Sequence, residues 1–178
     1  MWIDADIGLE ADAVQRLLAH NEPIVAATYP QKGRRTLTCH VLPDTEKLVF
    51  GEQGGLIEVL YAGTGFLLVR RAVYEAMQRQ LELPVCNERF PGPSLVPYFL
   101  PLIREDGPGH WYLAEDFAFC ERARRCDYKI MVDTTIRLRH YVNEANEEVT
   151  IILVGEKRGN SLFVQGEEFT GHESDPAE

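Results

Sequence analysis

Trp2-Ile3-Asp4-Ala5-Asp6-Ile7-Gly8, near the start of a chain of 178 residues, is the stretch that decides the fold. An apolar strand, predicted over 2–6, ends in two aspartates spaced one residue apart. Two carboxylates released where a strand gives way to a turn can both reach one hard divalent cation, because such cations prefer oxygen ligands. The same spacing also suits an ordinary turn or a helix cap, so the metal hypothesis depends on later motifs.

Length and composition restrict the class of protein. With 45% hydrophobic and 26% charged residues, the chain suits one globular domain with a real core, followed by a tail. Its formal net charge of -10 argues against a nucleic acid partner, since phosphate backbones are bound by clustered Lys and Arg. Apolar runs stay shorter than the roughly 20 residues of a membrane-spanning helix, and Met1 is followed by acids instead of a signal sequence. We therefore expect a cytoplasmic protein without a membrane span.

Four cysteines, at positions 39, 86, 120 and 126, show no CxxC spacing. A zinc site or a disulfide framework is not expected from this pattern. Reduced, partly buried thiols that pack as small hydrophobes are the expectation instead.

Hydrophobic periodicity predicts an alternation of helices and strands. Helices are expected over 10–20, over 72–83 and from Glu115 onward, with these inner faces: Val14, Leu17 and Leu18; Val73, Met77 and Leu81; Phe117, Cys120 and Ala123. Strands are expected over 2–6, 24–29, 56–62, 66–69, 129–133 and 136–140, with a short hairpin inside 36–55, a proline-rich surface loop over 84–101 and an extended segment over 98–103. An added hairpin is expected from 149–154 and 161–164.

The order of five motifs carries a resemblance to a known family. They are Ile3-Asp4-Ala5-Asp6, Tyr29-Pro30-Gln31-Lys32, Gly63-Thr64-Gly65 with the following strand, Glu115-Asp116-Phe117-Ala118-Phe119-Cys120, and Asp133 with Arg139-His140-Tyr141. In this order and spacing the chain resembles the C-terminal part of GT-A glycosyltransferases, from Met1 to about Tyr141. The resemblance implies an α/β, Rossmann-related mixed sheet flanked by helices, with a nucleoside-diphosphate sugar as donor and a hydroxyl group as acceptor.

The resemblance also implies roles for the acidic pair and the late histidine. It places Asp4 on the ribose or the metal, Asp6 on the metal and His140 as a further metal ligand. An oxygen-rich site with one imidazole favours Mn²⁺ over Mg²⁺. A cation bound there would stabilise the negative charge that develops on the departing diphosphate.

The Glu115-Asp116 motif maps onto the catalytic acids of the family. Asp116 is expected to take the proton of the acceptor hydroxyl, beside Glu115, with inversion at the anomeric carbon. Gly63, Thr64 and Gly65 would pass beneath the donor sugar, with backbone N-H groups and close approach that a side chain would block. Lys32 would steer the diphosphate, and Trp111 and Tyr112 would offer aromatic surfaces to a sugar ring.

Each assignment has a structural alternative that the sequence leaves open. Glu115 and Asp116 also suit the first turn of a helix, where the dipole favours acids. His140 at a strand end is equally compatible with packing, and Lys32 with a solvated basic loop. The two glycines that flank Thr64 are equally compatible with a simple hairpin turn.

The sequence departs from the family pattern at its start, because βαβ units that grip the nucleotide normally precede the Asp-x-Asp strand. A fragment, a second chain that supplies the nucleotide half, or a shortened and non-catalytic relative would each explain the departure. The 2–6 strand would then present an open edge, so we expect a homo-oligomer or a partner chain. The expected organisation is a partial GT-A-like domain over 1–148, a hairpin over 149–166 and an acidic, disordered tail over 167–178. A non-catalytic binding or assembly module is the alternative function.

Overall fold

A computed structural model describes residues 1–31 and 36–141, together with the backbones of strands 154–158 and 161–165. Lys32 and the tail predicted over 167–178 lie outside the described residues. In chain order the elements are β1 (Trp2–Ile3), β2 (Ile7–Leu9), α1 (Ala13–Ala19), β3 (Ile24–Ala26), β4 (Thr36–His40), a 3₁₀ turn (Gly51–Gln53), β5 (Leu56–Val59), β6 (Tyr61–Ala62), β7 (Phe66–Val69), α2 (Arg71–Gln80), β8 (Leu102–Asp106), β9 (Gly109–Leu113), α3 (Glu115–Arg125), β10 (Ile130–Asp133), β11 (Leu138–His140), β12 (Val154–Arg158) and β13 (Ser161–Gln165).

The central sheet has five strands in the order β1-β7-β3-β10-β5. β7 runs antiparallel to both β1 and β3, β3 runs parallel to β10, and β10 runs antiparallel to β5. β1, β3 and β10 therefore point the same way, and their carboxyl ends meet at one edge of the sheet. The amino ends of β7 and β5 lie at that same edge, so the turns that contain Asp4, Tyr29 and Gly65 are neighbours.

Both faces of this sheet are covered, as strand alternation requires. Along β3, Ile24 and Ala26 belong to the core cluster formed with α2 and α3. Val25 and the following Ala27 belong to the cluster on the other face, with α1 and with Ile7 of β2. The protein is thus a mixed α/β fold with a mixed sheet flanked by helices, as the coarse prediction stated.

Three smaller pairings complete the fold. β2 pairs with β11, β8 pairs with β9, and a four-stranded sheet has the order β12-β13-β4-β6. The expected C-terminal hairpin is present as β12 and β13, but its first strand is Val154–Arg158, so the segment predicted as its turn is largely strand. β13 also pairs with β4, which joins the hairpin to a strand next to the central sheet.

Several predicted boundaries were wrong for identifiable reasons. The first strand ends at Ile3, because Ile7 N donates to Asp4 O at 3.1 Å and closes a turn. The strand expected over 56–62 breaks at Leu60, whose N donates to the carbonyl of His40 and carries the chain from one sheet into the other.

The helices occur where they were expected, but they are shorter and one inner face was misassigned. In α1, Leu17 is buried whereas Leu18 is 55% exposed, since the seven-residue helix presents only a narrow stripe to the sheet. The hairpin expected within 36–55 is not formed, because β4 pairs with the distant β6 and β13. The antiparallel hairpin of β8 and β9 was not predicted beyond an extended segment.

A buried acid links α1 to the end of β10. Asp133 is 3% exposed, and its Oδ2 lies 2.7 Å from His20 Nε2. Thr135 donates to the other carboxylate oxygen from its N at 2.8 Å and from its hydroxyl at 2.5 Å. Burial by itself would raise the pKa of Asp133, but these hydrogen bonds outweigh burial and lower the pKa below its ordinary value.

All four cysteines lie among the described residues and are free thiols, in agreement with the expectation. Burial raises the pKa of Cys39 to about 11 and that of Cys120 to about 12, so both thiols are poor nucleophiles. Among the described residues, no helix is long and apolar enough to cross a membrane.

Candidate functional site

The two aspartates of the opening motif lie at the carboxyl edge of the central sheet. Asp4 follows β1 directly, and its N donates to the carbonyl of Gly65 at 3.0 Å. The turn that begins at Asp4 brings Asp6 beside β11, where the carbonyl of Asp6 accepts from Tyr141 N at 3.0 Å. The acidic pair therefore bridges the Gly65 turn on one side and the His140 strand on the other.

Asp6 and His140 form the part of the site best suited to a cation. His140 Nε2 lies 3.7 Å from Asp6 Oδ2, and His140 Nδ1 lies 2.8 Å from the carbonyl oxygen of Pro30. A carbonyl only accepts, so Nδ1 carries the ring proton and the Nε2 lone pair of a neutral ring faces the carboxylate. Two electron-pair donors that face each other are the donor set of a hard-to-borderline divalent ion.

The predicted three-residue metal set is only partly assembled. In the described part of the chain, no group of three or more His, Cys, Asp or Glu side chains is arranged to hold a metal ion. Asp6 and His140 face each other, whereas the exposed side chain of Asp4 lies over Gly65. Two of the three predicted ligands, Asp6 and His140, therefore face each other, and Asp4 lies on the same turn as Asp6.

Backbone amides of the glycine turn are occupied within the protein. Gly63 N donates to the carbonyl of Thr38 at 2.6 Å, and Gly65 N donates to the hydroxyl of Tyr29 at 2.8 Å. The predicted role of these amides as phosphate donors is therefore restricted to Thr64, which occupies the tip of the turn. What the two glycines supply is room, because a Cβ on Gly65 would lie 2.2 Å from Tyr29 Oη.

Tyr29 opens one of the five motifs, but no role at the site was predicted for it. Its side chain is 6% exposed, and its ring meets His140 edge-on with centroids 5.2 Å apart. Burial, and then the charges of Asp4 and Asp116, raise its pKa to about 12, so the hydroxyl keeps its proton at neutral pH. Two glycines around Thr64 signal that something approaches closely, but not which residue it is.

Asp116 lies in the first turn of α3, two residues after Ala114 at the start of the helix. Its Oδ1 accepts from Phe117 N at 2.8 Å. Burial is the largest cause that raises the pKa of Asp116, followed by the negative charges of Glu115 and Asp4. The charge of Asp4 is thus one of the causes that raise the pKa of Asp116, while Glu115 itself is exposed.

Trp111 and Tyr112 are separated by the alternation of β9. Trp111 points inward, where His40 stacks on its ring at 5.1 Å and the Arg104 guanidinium lies 5.1 Å from its centroid. Tyr112 points outward, is 64% exposed and is the cross-strand partner of Ile103. The two rings predicted as sugar surfaces therefore lie on opposite faces of β9, and the Trp111 ring packs against His40 and Arg104.

A network of hydrogen bonds and ion pairs surrounds Tyr61, whose ring contacts Trp111. Tyr61 donates to Glu121 Oε2 at 2.7 Å and accepts from Arg104 at 2.8 Å. Arg125 adds a further bond to Glu121 at 3.1 Å. Because Tyr61 is fully buried, its hydroxyl depends on these partners.

Comparison with known proteins adds little to this geometry. No protein-family model matches the sequence, and no curated protein matches it significantly. Among solved structures, the crystal structure of A197 from STIV matches 98% of this chain and 69% of that chain, at 14% sequence identity and a TM-score of 0.47. A match at this TM-score carries no information about activity.

Proposed function

We propose that this chain is a metal-dependent glycosyltransferase of GT-A-like fold, or the catalytic half of one. It would transfer a sugar from a nucleoside diphosphate to an acceptor hydroxyl, with inversion. The charge of Asp4 is among the causes that raise the pKa of Asp116. The observation that carries the proposal is that Asp4, Asp6 and His140 lie together at one edge of the sheet, from segments far apart in the chain. Ligands of open α/β sheets bind at the carboxyl ends of strands, which is where these side chains lie.

Asp6 and His140 are the residues that would hold a divalent cation, preferably Mn²⁺, and Asp4 on the same turn would hold the ribose of the nucleotide. When bound, the cation would supply electrostatic stabilisation of the charge on the departing diphosphate. The hydrogen bond from His140 to the carbonyl of Pro30 orients the ring and fixes its tautomer, as in many metal sites.

Asp116 would act as the general base. As the acceptor oxygen forms its bond to the anomeric carbon, the hydroxyl proton moves to the Asp116 carboxylate and the bond to the diphosphate oxygen breaks. A pKa raised by burial makes this carboxylate a better proton acceptor than an exposed aspartate, and the first turn of α3 holds it in place.

A non-catalytic binding module is the second candidate. The observation that favours it is the internal use of the Gly63 and Gly65 amides, which leaves the turn fewer donors for a diphosphate. Such a module would bind a nucleotide or a cation at the same edge without transferring a sugar. Binding and turnover must therefore be measured separately.

Calorimetry with UDP and with GDP, each with and without Mn²⁺, tests the binding step. We expect binding to at least one nucleotide that depends on Mn²⁺, and we expect Asp6→Ala to abolish the metal dependence. Asp12→Ala is the matched control, because Asp12 is exposed and its side chain makes no capping hydrogen bond to α1. No binding at millimolar nucleotide, or an unchanged response in Asp6→Ala, would contradict the proposal.

Turnover is tested with Asp116→Asn. This variant should bind the nucleotide normally but lose transfer, or hydrolysis of a sugar nucleotide, by about 10²-fold or more. Asp127→Asn is the control, because Asp127 is exposed just after α3 in a left-handed conformation that Asn tolerates. Transfer that persists in Asp116→Asn would place the base elsewhere, and binding without any turnover in the wild type would favour the binding module.

A further inference from the structure

The hydroxyl and ring of Tyr29 contact two parts of the candidate site. Its hydroxyl accepts from Gly65 N at 2.8 Å, and its ring edge packs on His140. Its own backbone is held by Thr38, whose N and hydroxyl donate to the Tyr29 carbonyl at 2.9 and 3.0 Å. The side chain is thus fixed from behind and projects into the turn that carries Gly65.

The Tyr29 hydroxyl occupies space that is open only because Gly63 and Gly65 have no Cβ. A Cβ on Gly63 would lie 3.0 Å from Oη, and a Cβ on Gly65 would lie 2.2 Å from Oη and 3.0 Å from Asp4 Oδ2. The hydroxyl and the Asp4 carboxylate therefore lie over the same Cα. Because Asp4 N also donates to the Gly65 carbonyl, any movement of Gly65 moves Asp4.

Tyr29 and the residue after it also hold His140, which forms the second set of contacts. The carbonyl that accepts from His140 Nδ1 belongs to Pro30, the residue after Tyr29. Ring and carbonyl together fix the imidazole that faces Asp6. This second set depends on the ring of Tyr29 and on the backbone, whereas the contact with Gly65 depends on the hydroxyl.

We propose that Tyr29 is the positioning residue of the site: its hydroxyl sets the Gly65 turn and Asp4 for the nucleotide, and its ring sets His140 for the cation. The inference rests on the proposed function. It assigns the positioning of the nucleotide site to the hydroxyl of Tyr29 and that of the cation site to its ring. It follows that nucleotide binding and cation binding can be separated by removing a single oxygen atom.

Tyr29→Phe removes that oxygen and keeps the ring. We expect UDP or GDP, measured by calorimetry at saturating Mn²⁺, to bind about three- to tenfold more weakly, as the loss of one hydrogen bond predicts. The affinity for Mn²⁺ alone, measured by the electron paramagnetic resonance signal of the free ion, should be unchanged. Tyr74→Phe is the matched control, because Tyr74 is half-buried on α2 and its hydroxyl accepts from Trp2 Nε1 at 2.9 Å, outside the site.

Gly63→Ala leaves the Tyr29 hydroxyl in place, but the added methyl would lie 3.0 Å from Oη and 3.0 Å from Thr38 Cβ and would press on both. It should also weaken nucleotide binding and spare Mn²⁺. Nucleotide binding equal to wild type in both variants, or a parallel loss of nucleotide and Mn²⁺ that only a general loss of structure would cause, overturns the inference and leaves the proposed function standing. A wild-type chain that binds neither probe overturns both.

Discussion

Replacing Gly65 with alanine is the sharpest test of how the site is packed. The new Cβ would lie 2.2 Å from Oη and 2.5 Å from Cζ of Tyr29, well inside van der Waals contact. Tyr29 is buried and its carbonyl is held by Thr38, so the ring cannot withdraw freely. Overpacking of this kind costs about 1–3 kcal/mol, and loss of the Gly65 hydrogen bond to Oη costs about 1 kcal/mol more.

We therefore expect Gly65→Ala to lower the free energy of unfolding by about 3 kcal/mol. Gly55→Ala is the matched control at the same edge of the sheet, because a Cβ there meets no atom within 4 Å. Its expected effect is between neutral and a gain of about 1 kcal/mol, from the lower entropy of the unfolded chain.

Urea denaturation followed by circular dichroism measures this difference. With a slope of about 2 kcal/mol per molar urea, the midpoint of Gly65→Ala should lie about 1–2 M below that of Gly55→Ala. Equal midpoints would refute the packing of Tyr29 over Gly65, and with it the close approach on which the candidate site depends.

Three further outcomes follow from the contacts described above. The pKa of Asp133 is lower in the folded chain than in the unfolded chain. Its contribution to stability is therefore complete above the pKa of the unfolded chain and is lost as the pH falls through the pKa of the folded chain. Between pH 7 and pH 3, the urea midpoint should fall more for wild type than for Asp133→Asn. Tyr61→Phe should cost about 1–3 kcal/mol in the same assay, against almost nothing for the exposed control Tyr112→Phe; equal losses would dismiss the buried network. In a carbon-detected NMR titration of the ligand-free chain, the pKa of Asp116 should lie above the ordinary value of an aspartate, and Glu115→Gln should lower it; an unmoved pKa would mean that the two charges do not interact.

Strong local periodicity made parts of the fold predictable. In α2, Val73 and Met77 recur at helical spacing and both are buried, and α3 begins at Glu115 as expected. Along β3 every residue is buried, which is what a continuous apolar run in a sheet covered on both faces predicts. In these segments the local pattern and the tertiary structure agree.

Pairing between distant segments was not predictable from local pattern. β4 pairs with β6 and β13, and the chain crosses between sheets at Leu60, within a run that is apolar except for Glu58 and carries no turn residue. β8 was not predicted as a full strand, because prolines precede it and it contains the charged residues Arg104 and Glu105. In the structure it pairs with β9, and Arg104 lies opposite Trp111.

The acidic residues of the candidate site could be picked out from the sequence, but the role of Tyr29 could not. Asp4, Asp6 and Asp116 stand out because paired carboxylates after a strand and at a helix start are visible in sequence. Tyr29 belongs to a quoted motif but was given no role, because an aromatic residue at the end of an apolar strand is ordinarily core. Only the folded chain shows its hydroxyl bonded to Gly65 N.

If the proposed function is right, the opening acids, His140 and Asp116 surround one ligand. A crystal grown with Mn²⁺ and UDP, with diffraction recorded at the manganese absorption edge, shows whether they do. We expect an anomalous peak between Asp6 Oδ2 and His140 Nε2, with the diphosphate beside it and the Asp116 carboxylate facing the open side of the ligand. A peak elsewhere, or a nucleotide bound away from this edge of the sheet, would mean that these residues do not form the site.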